Sequence, residues 1–106
     1  MPSDLADPGG VTIVGHDGKS QLLTARGKGE ANYSDYGPDQ WGGIPNDGIK
    51  SVKVPPGYRI RLFQHWFTGY TADVTSDTEL VDISTPWQGK GYWQDNVTSV
   101  TVWAGV

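Results

Sequence analysis

The sequence predicts an all-β fold of about eight short strands in two antiparallel sheets, packed as a Greek-key sandwich. Three observations carry this. No run of about ten residues shows the apolar period of a helix, whereas Tyr58-Arg59-Ile60-Arg61-Leu62 alternates cleanly between apolar and polar. Turn formers are dense, with 15 Gly and 7 Pro in 106 residues. Finally, Asn46-Asp47-Gly48-Ile49-Lys50-Ser51-Val52-Lys53-Val54 returns as Gln94-Asp95-Asn96-Val97-Thr98-Ser99-Val100-Thr101-Val102, so Asp47 falls on Asp95 and Ser51 on Ser99, 48 residues apart. A repeat at fixed spacing means one supersecondary unit used twice. Two copies are too few for a solenoid and fit two halves closing on a shared core.

Taken in order, residues 1–10 are polar and Pro-bearing and read as a loose tail. Residues 11–106 form the domain. Val11-Thr12-Ile13-Val14 reads as a strand, Gly15-His16-Asp17-Gly18 as a tight turn and Ser20-Gln21-Leu22-Leu23-Thr24 as the return. Arg26 to Gly43 is a Gly-rich polar excursion with one short strand at most, its Tyr33, Tyr36 and Trp41 tucking over the open end of the core. Ile49 to Val54 is the first repeat strand, and Pro55-Pro56-Gly57 stops it. That seam divides a first Greek key, about 11–54, from a second, about 58–103.

The second half repeats the plan. Tyr58 to Leu62 is a half-buried strand, Phe63 to Gly69 the hairpin and Tyr70 to Val74 the return. Ser76-Asp77-Thr78-Glu79-Leu80-Val81 fits a short capped helical turn or a strand. Thr85 to Trp93 is an irregular aromatic loop, and Val97 to Trp103 the last strand.

Composition bounds the function. The net charge of −4 disfavours a nucleic-acid partner and suits a cation. The lack of cysteine removes disulfides and thiolate metal sites. No apolar run approaches a membrane span, and the first residues lack the charged and apolar regions of a signal peptide, which leaves the compartment open between cytoplasm and secretion after processing. The hydrophobic fraction is only 36%, so five Trp and five Tyr have to supply much of the buried area.

The chain resembles the βγ-crystallin superfamily, particularly its single-domain microbial members. That family pairs two Greek keys, each with a hairpin signature, Tyr/Phe-x-x-x-x-Tyr/Phe-x-Gly, and a loop signature, Asn/Asp-Asn/Asp-x-x-Ser/Thr-Ser. Phe63-Gln64-His65-Trp66-Phe67-Thr68-Gly69 is similar to the hairpin signature, either with one spacer deleted or with Leu62 standing in for the first aromatic. Gln94-Asp95-Asn96-Val97-Thr98-Ser99 is the loop signature with Gln in first place. Asn46-Asp47-Gly48-Ile49-Lys50-Ser51 has Lys where Ser or Thr should stand, and the hairpin around Val14 to Gly18 has no aromatics. The likeness is strong over 46–102 and faint before 40.

The resemblance implies calcium, a hard cation that takes six to eight oxygens. In the family, each loop gives its site a third-position carbonyl and a fifth-position hydroxyl. The second-position Asp crosses to the neighbouring site, and the facing hairpin adds a carbonyl. Carried over, one site comprises the Asn96 carbonyl, the Thr98 hydroxyl, the Asp47 carboxylate and a carbonyl near Gln64. The other comprises the Gly48 carbonyl, position 50, the Asp95 carboxylate and a carbonyl near Val14 or Gly15. Lys50 puts an ammonium where an oxygen should be, costing on the order of a few kcal/mol at intermediate dielectric. The expectation is one competent site of micromolar to millimolar affinity and one site disabled by Lys50. The Lys50 ammonium would then pair with Asp95, and Lys50→Ser would raise the stoichiometry from one to two.

Blander readings stand beside these. Asp47 and Asp95 are turn formers that satisfy nearby backbone N–H groups in any protein. His16 and His65 read as surface residues of hairpins. Trp41, Trp66, Trp87 and Trp93 lie in loops or hairpins, where they either stack on sugar rings or cap a small core, and scarce apolar content favours the cap. Asn32-Tyr33-Ser34 and Asn96-Val97-Thr98 match the N-glycosylation sequon, and the match at Asn96 reads as coincidence, since a glycan there would crowd the loop. No nucleophile, base and acid converge, so the expectation is a non-enzymatic, monomeric calcium-binding domain. The alternatives on the same fold are an antimicrobial or inhibitory module and a carbohydrate-binding module.

Overall fold

A computed structural model describes residues 9–87 and 91–105. Residues 1–8 of the tail expected over 1–10 lie outside them, as do Gln88 to Lys90 of the aromatic loop; the domain starts earlier than expected, since Gly10 is buried and already pairs with Thr24 in the first sheet. Among the described residues eight strands form: β1 (Gly10–Gly15), β2 (Ser20–Thr24), β3 (Ser34–Tyr36), β4 (Ile49–Lys53), β5 (Tyr58–Phe63), β6 (Thr71–Val74), β7 (Thr78–Glu79) and β8 (Ser99–Ala104). Every pairing between them is antiparallel. They make two four-stranded sheets, ordered β2-β1-β4-β7 and β3-β8-β5-β6. The two-sheet Greek-key sandwich is as the sequence predicts.

The strand order shows an exchange. β3 belongs to the first half yet pairs with β8, while β7 belongs to the second half yet pairs with β4. Each half therefore completes the other's sheet. The excursion after Ala25 does hold one strand, so the first half has its full Greek key. The segment 76–81 resolves into both candidates: strand β7, then a 3-10 turn over Leu80–Asp82.

Alternation sends Val11, Ile13, Ile60, Leu62, Val100 and Val102 into one core, joined by Ile49, Val52, Leu80 and Val97. Trp41 and Trp93 are fully buried and cap it, as scarce apolar content requires. Trp41 keeps its indole N–H satisfied on the Tyr36 carbonyl at 3.3 Å. Trp103 is buried by another means, on the outer face of its sheet, with the Arg59 and Arg61 guanidinium groups 4.0 and 4.9 Å from its ring centre. Trp66 departs from the capping role. It is 60% exposed, with its ring edge over Gly37, where a Cβ would come within 2.3 Å of Trp66 Cη2.

Candidate metal centre

The two loops lie side by side and mirror one another. Asp47 and Asp95 both have left-handed backbones, at φ 61° and 65°, which aspartate tolerates better than most residues. The Asp47 N–H donates to the Val97 carbonyl at 3.2 Å, and the Asp95 N–H donates to the Ile49 carbonyl at 3.3 Å. These bonds are reciprocal: second position of one loop to fourth position of the other. The turn before each aspartate is shared too. Gly48 N–H bonds Pro45 at 2.9 Å, and Asn96 N–H bonds Trp93 at 2.9 Å.

In the second half, hairpin and loop converge. Thr98 N–H donates to the Phe63 carbonyl at 3.0 Å, and the Thr98 hydroxyl donates to the Gln64 carbonyl at 2.9 Å. Ser99, fully buried, secures the hairpin by donating its hydroxyl to the His65 carbonyl at 2.9 Å and accepting the Phe67 N–H at 2.8 Å. Phe67 itself sits at φ 55°, a strained value for a bulky residue, held by that bond and by ring contacts to Phe63 and Trp66. The Asn96 amide donates to the Tyr92 and Gln94 carbonyls at 2.7 and 3.3 Å, which fixes its loop. Oxygen donors that are neutral, adjacent and backed by buried hydrogen bonds suit calcium. The residues around Thr98 fit that ion.

The first half is built differently. Between Val14 and Gly15 the β1–β4 register slips, and Gly15 faces Ile49, leaving Lys50 as the extra residue of a bulge. Lys50 is exposed and makes no ion pair among the described residues. The expected Lys50–Asp95 pair is therefore replaced: the partner of Asp95 is the His16 imidazole, which reaches its carboxylate from the hairpin tip. The bulge explains the change, since it takes Lys50 out of the ladder. The Gly15 carbonyl already accepts the Gly18 N–H at 3.2 Å to close the turn. Gly48 is buried and leaves no room for a side chain, with Pro45 Cγ 2.7 Å from where its Cβ would stand. An ammonium in the donor row and a carboxylate already partnered do not fit calcium.

Among the described residues no three His, Cys, Asp or Glu side chains cluster to hold a metal, so any cation site here has to lean on carbonyls and hydroxyls. His16 is the residue that sequence reasoning passed over. Its signal was positional: one step beyond Gly15, the counterpart of Gln64.

Paired Greek keys with exchanged strands and reciprocal loops define a class of two-motif sandwich domains. Solved structures place the chain within it. A betagamma-crystallin domain from Flavobacterium johnsoniae matches with a TM-score of 0.65 at 27% identity, over 89% of this chain and 93% of that one. A mutant of a betagamma-crystallin domain from Clostridium beijerinckii is 30% identical, with a TM-score of 0.61, over 88% of this chain and 99% of that one. A clostrillin double mutant with two serines changed to histidine, in complex with nickel, matches at 27% identity and a TM-score of 0.58, over 89% of this chain and 97% of that one. This chain belongs to the βγ-crystallin superfamily. No protein-family model and no curated protein matches the sequence.

Proposed function

We propose that this protein is a non-enzymatic calcium-binding domain with one competent site, formed by the Thr98 hydroxyl, the Gln64 and Asn96 carbonyls and the Asp47 carboxylate. The observation that carries the reading is the Thr98 hydroxyl, 2.9 Å from the Gln64 carbonyl across the hairpin. Two neutral oxygens from distant parts of the chain stand together, and the 46–51 loop is bonded alongside through Val97. The first-half loop does not take calcium. The role of binding is stabilisation: a ligand for the native state alone adds about 2.7 kcal/mol to unfolding at a hundredfold excess over Kd.

Titration calorimetry on chelator-stripped protein tests this, paired with thermal melts in calcium and in chelator. One binding event is expected, with a melting point roughly ten degrees higher at that excess. No heat and no shift would reject the reading.

A further inference from the structure

The hairpin tip between β1 and β2 carries a feature that calcium loops do not need. Counting on from the strand pairs Val14–Ser51 and Phe63–Ser99, Gly15 corresponds to Gln64 and His16 to His65. The two tips are then used differently. In the second half the Gln64 carbonyl meets a hydroxyl of the loop. In the first half the contact is made by a side chain: His16 Nε2 meets Asp95 Oδ1, spanning 79 residues of sequence, with the two side chains 50% and 51% exposed. Asp95 is held from behind by its N–H bond to Ile49. Its carboxylate is the one that the loop pattern directs towards the first-half site.

We propose that His16 determines which of the two loop sites accepts a cation, by taking the Asp95 carboxylate as its own partner. The first-half site is thus closed twice, by Lys50 in the donor row and by His16 on the anionic ligand. This rests on the reading of Thr98 as the competent site. A divalent cation has no other carboxylate on that hairpin, because Asp17 is already committed: it accepts the Lys19 N–H at 3.0 Å and the Lys19 ammonium at 2.8 Å. The imidazole and a cation are alternative partners for one group. The contact also ties the first hairpin to the second loop, work that a bound ion would otherwise do.

Four proteins test it: the natural chain, Lys50→Ser, His16→Ala and the double variant, all stripped with chelator and titrated with calcium. Each of the first three is expected to bind one ion and the double variant two, so Lys50→Ser alone does not reach the two ions expected were Lys50 the sole obstacle. Adding Thr98→Ala to the double variant is expected to leave one event, which identifies the new one. In chelator, His16→Ala is expected to melt a few degrees lower, since an exposed contact between the first hairpin and the second loop is lost. Two events for Lys50→Ser alone, or one event for the double variant, overturn the proposal. No binding by the natural chain rejects the Thr98 site instead, and an unchanged melt of His16→Ala in chelator then rejects the contact independently.

Discussion

On the proposed reading, Thr98 and Asp47 are the side chains on which calcium affinity would rest. Removing the Thr98 hydroxyl takes one oxygen from the shell and leaves the Gln64 carbonyl without its donor. Removing the Asp47 carboxylate takes the only formal charge from the proposed set. Thr98→Ala and Asp47→Ala are each expected to weaken calcium binding by about tenfold or more, in line with how ligand charge and number tune such sites. Normal calorimetric binding by both would mean the ligand assignment is wrong. Trp41 tests the core at the same scale. It is fully buried, so Trp41→Ala is expected to cost about 3–5 kcal/mol in urea unfolding. The meeting of Thr98 with the Gln64 carbonyl was legible in the sequence because a loop signature is local, six residues long, and its partner hairpin has one too. His16 was not. Its partner is 79 residues away, and only the register of β1 on β4 brings the two together.

At the scale of the strands, the β5–β6 pair offers a test by pH. Arg61 on β5 faces Asp73 on β6, donating to its carboxylate through Nε at 2.7 Å and Nη2 at 3.0 Å. The hydrogen bonds from Arg61 hold the Asp73 carboxyl below its ordinary value of 3.8. A lowered native pKa means the unfolded chain binds the proton more readily, so the pair stabilises above pH 3.8 and its contribution fades as pH falls through the native value. Asp73→Asn is expected to flatten the acid limb of the stability curve in that window, measured by urea midpoints. The change will be small, since both side chains are more than a third exposed or nearly so. β1 gives a steric test. A Cβ at Gly10 would stand 2.2 Å from the Leu23 carbonyl oxygen and 2.7 Å from Thr24 Cα, both backbone of the paired strand. Gly10→Ala is expected to destabilise by about 1–3 kcal/mol. The longer strands were legible through their period-two alternation. β3 and β7 were faint because strands of three and two residues are too short to show a period. The Lys50 bulge left no mark on composition at all.

The whole molecule is held together by exchange. With β3 lent to one sheet and β7 to the other, neither half retains a complete sheet once the chain is divided at Pro55-Pro56. Separate fragments ending at residue 54 and starting at 58 are expected to be unfolded by circular dichroism and to regain β signal when mixed. A fragment that folds alone would contradict the shared core. Which strand joins which sheet could not be read from the sequence alone, because alternation fixes a strand's inner face and not its neighbour. That order, and the exchange within it, came from the structure. The reciprocal bonds from Asp47 to Val97 and from Asp95 to Ile49 carry one consequence further. If each loop lends its aspartate across the boundary, hosting an ion and donating to one become separable duties. The loop with Lys50 can retire as a host while its Asp47 stays in service for its neighbour, so a duplicated architecture can lose half its capacity without disturbing the half that remains.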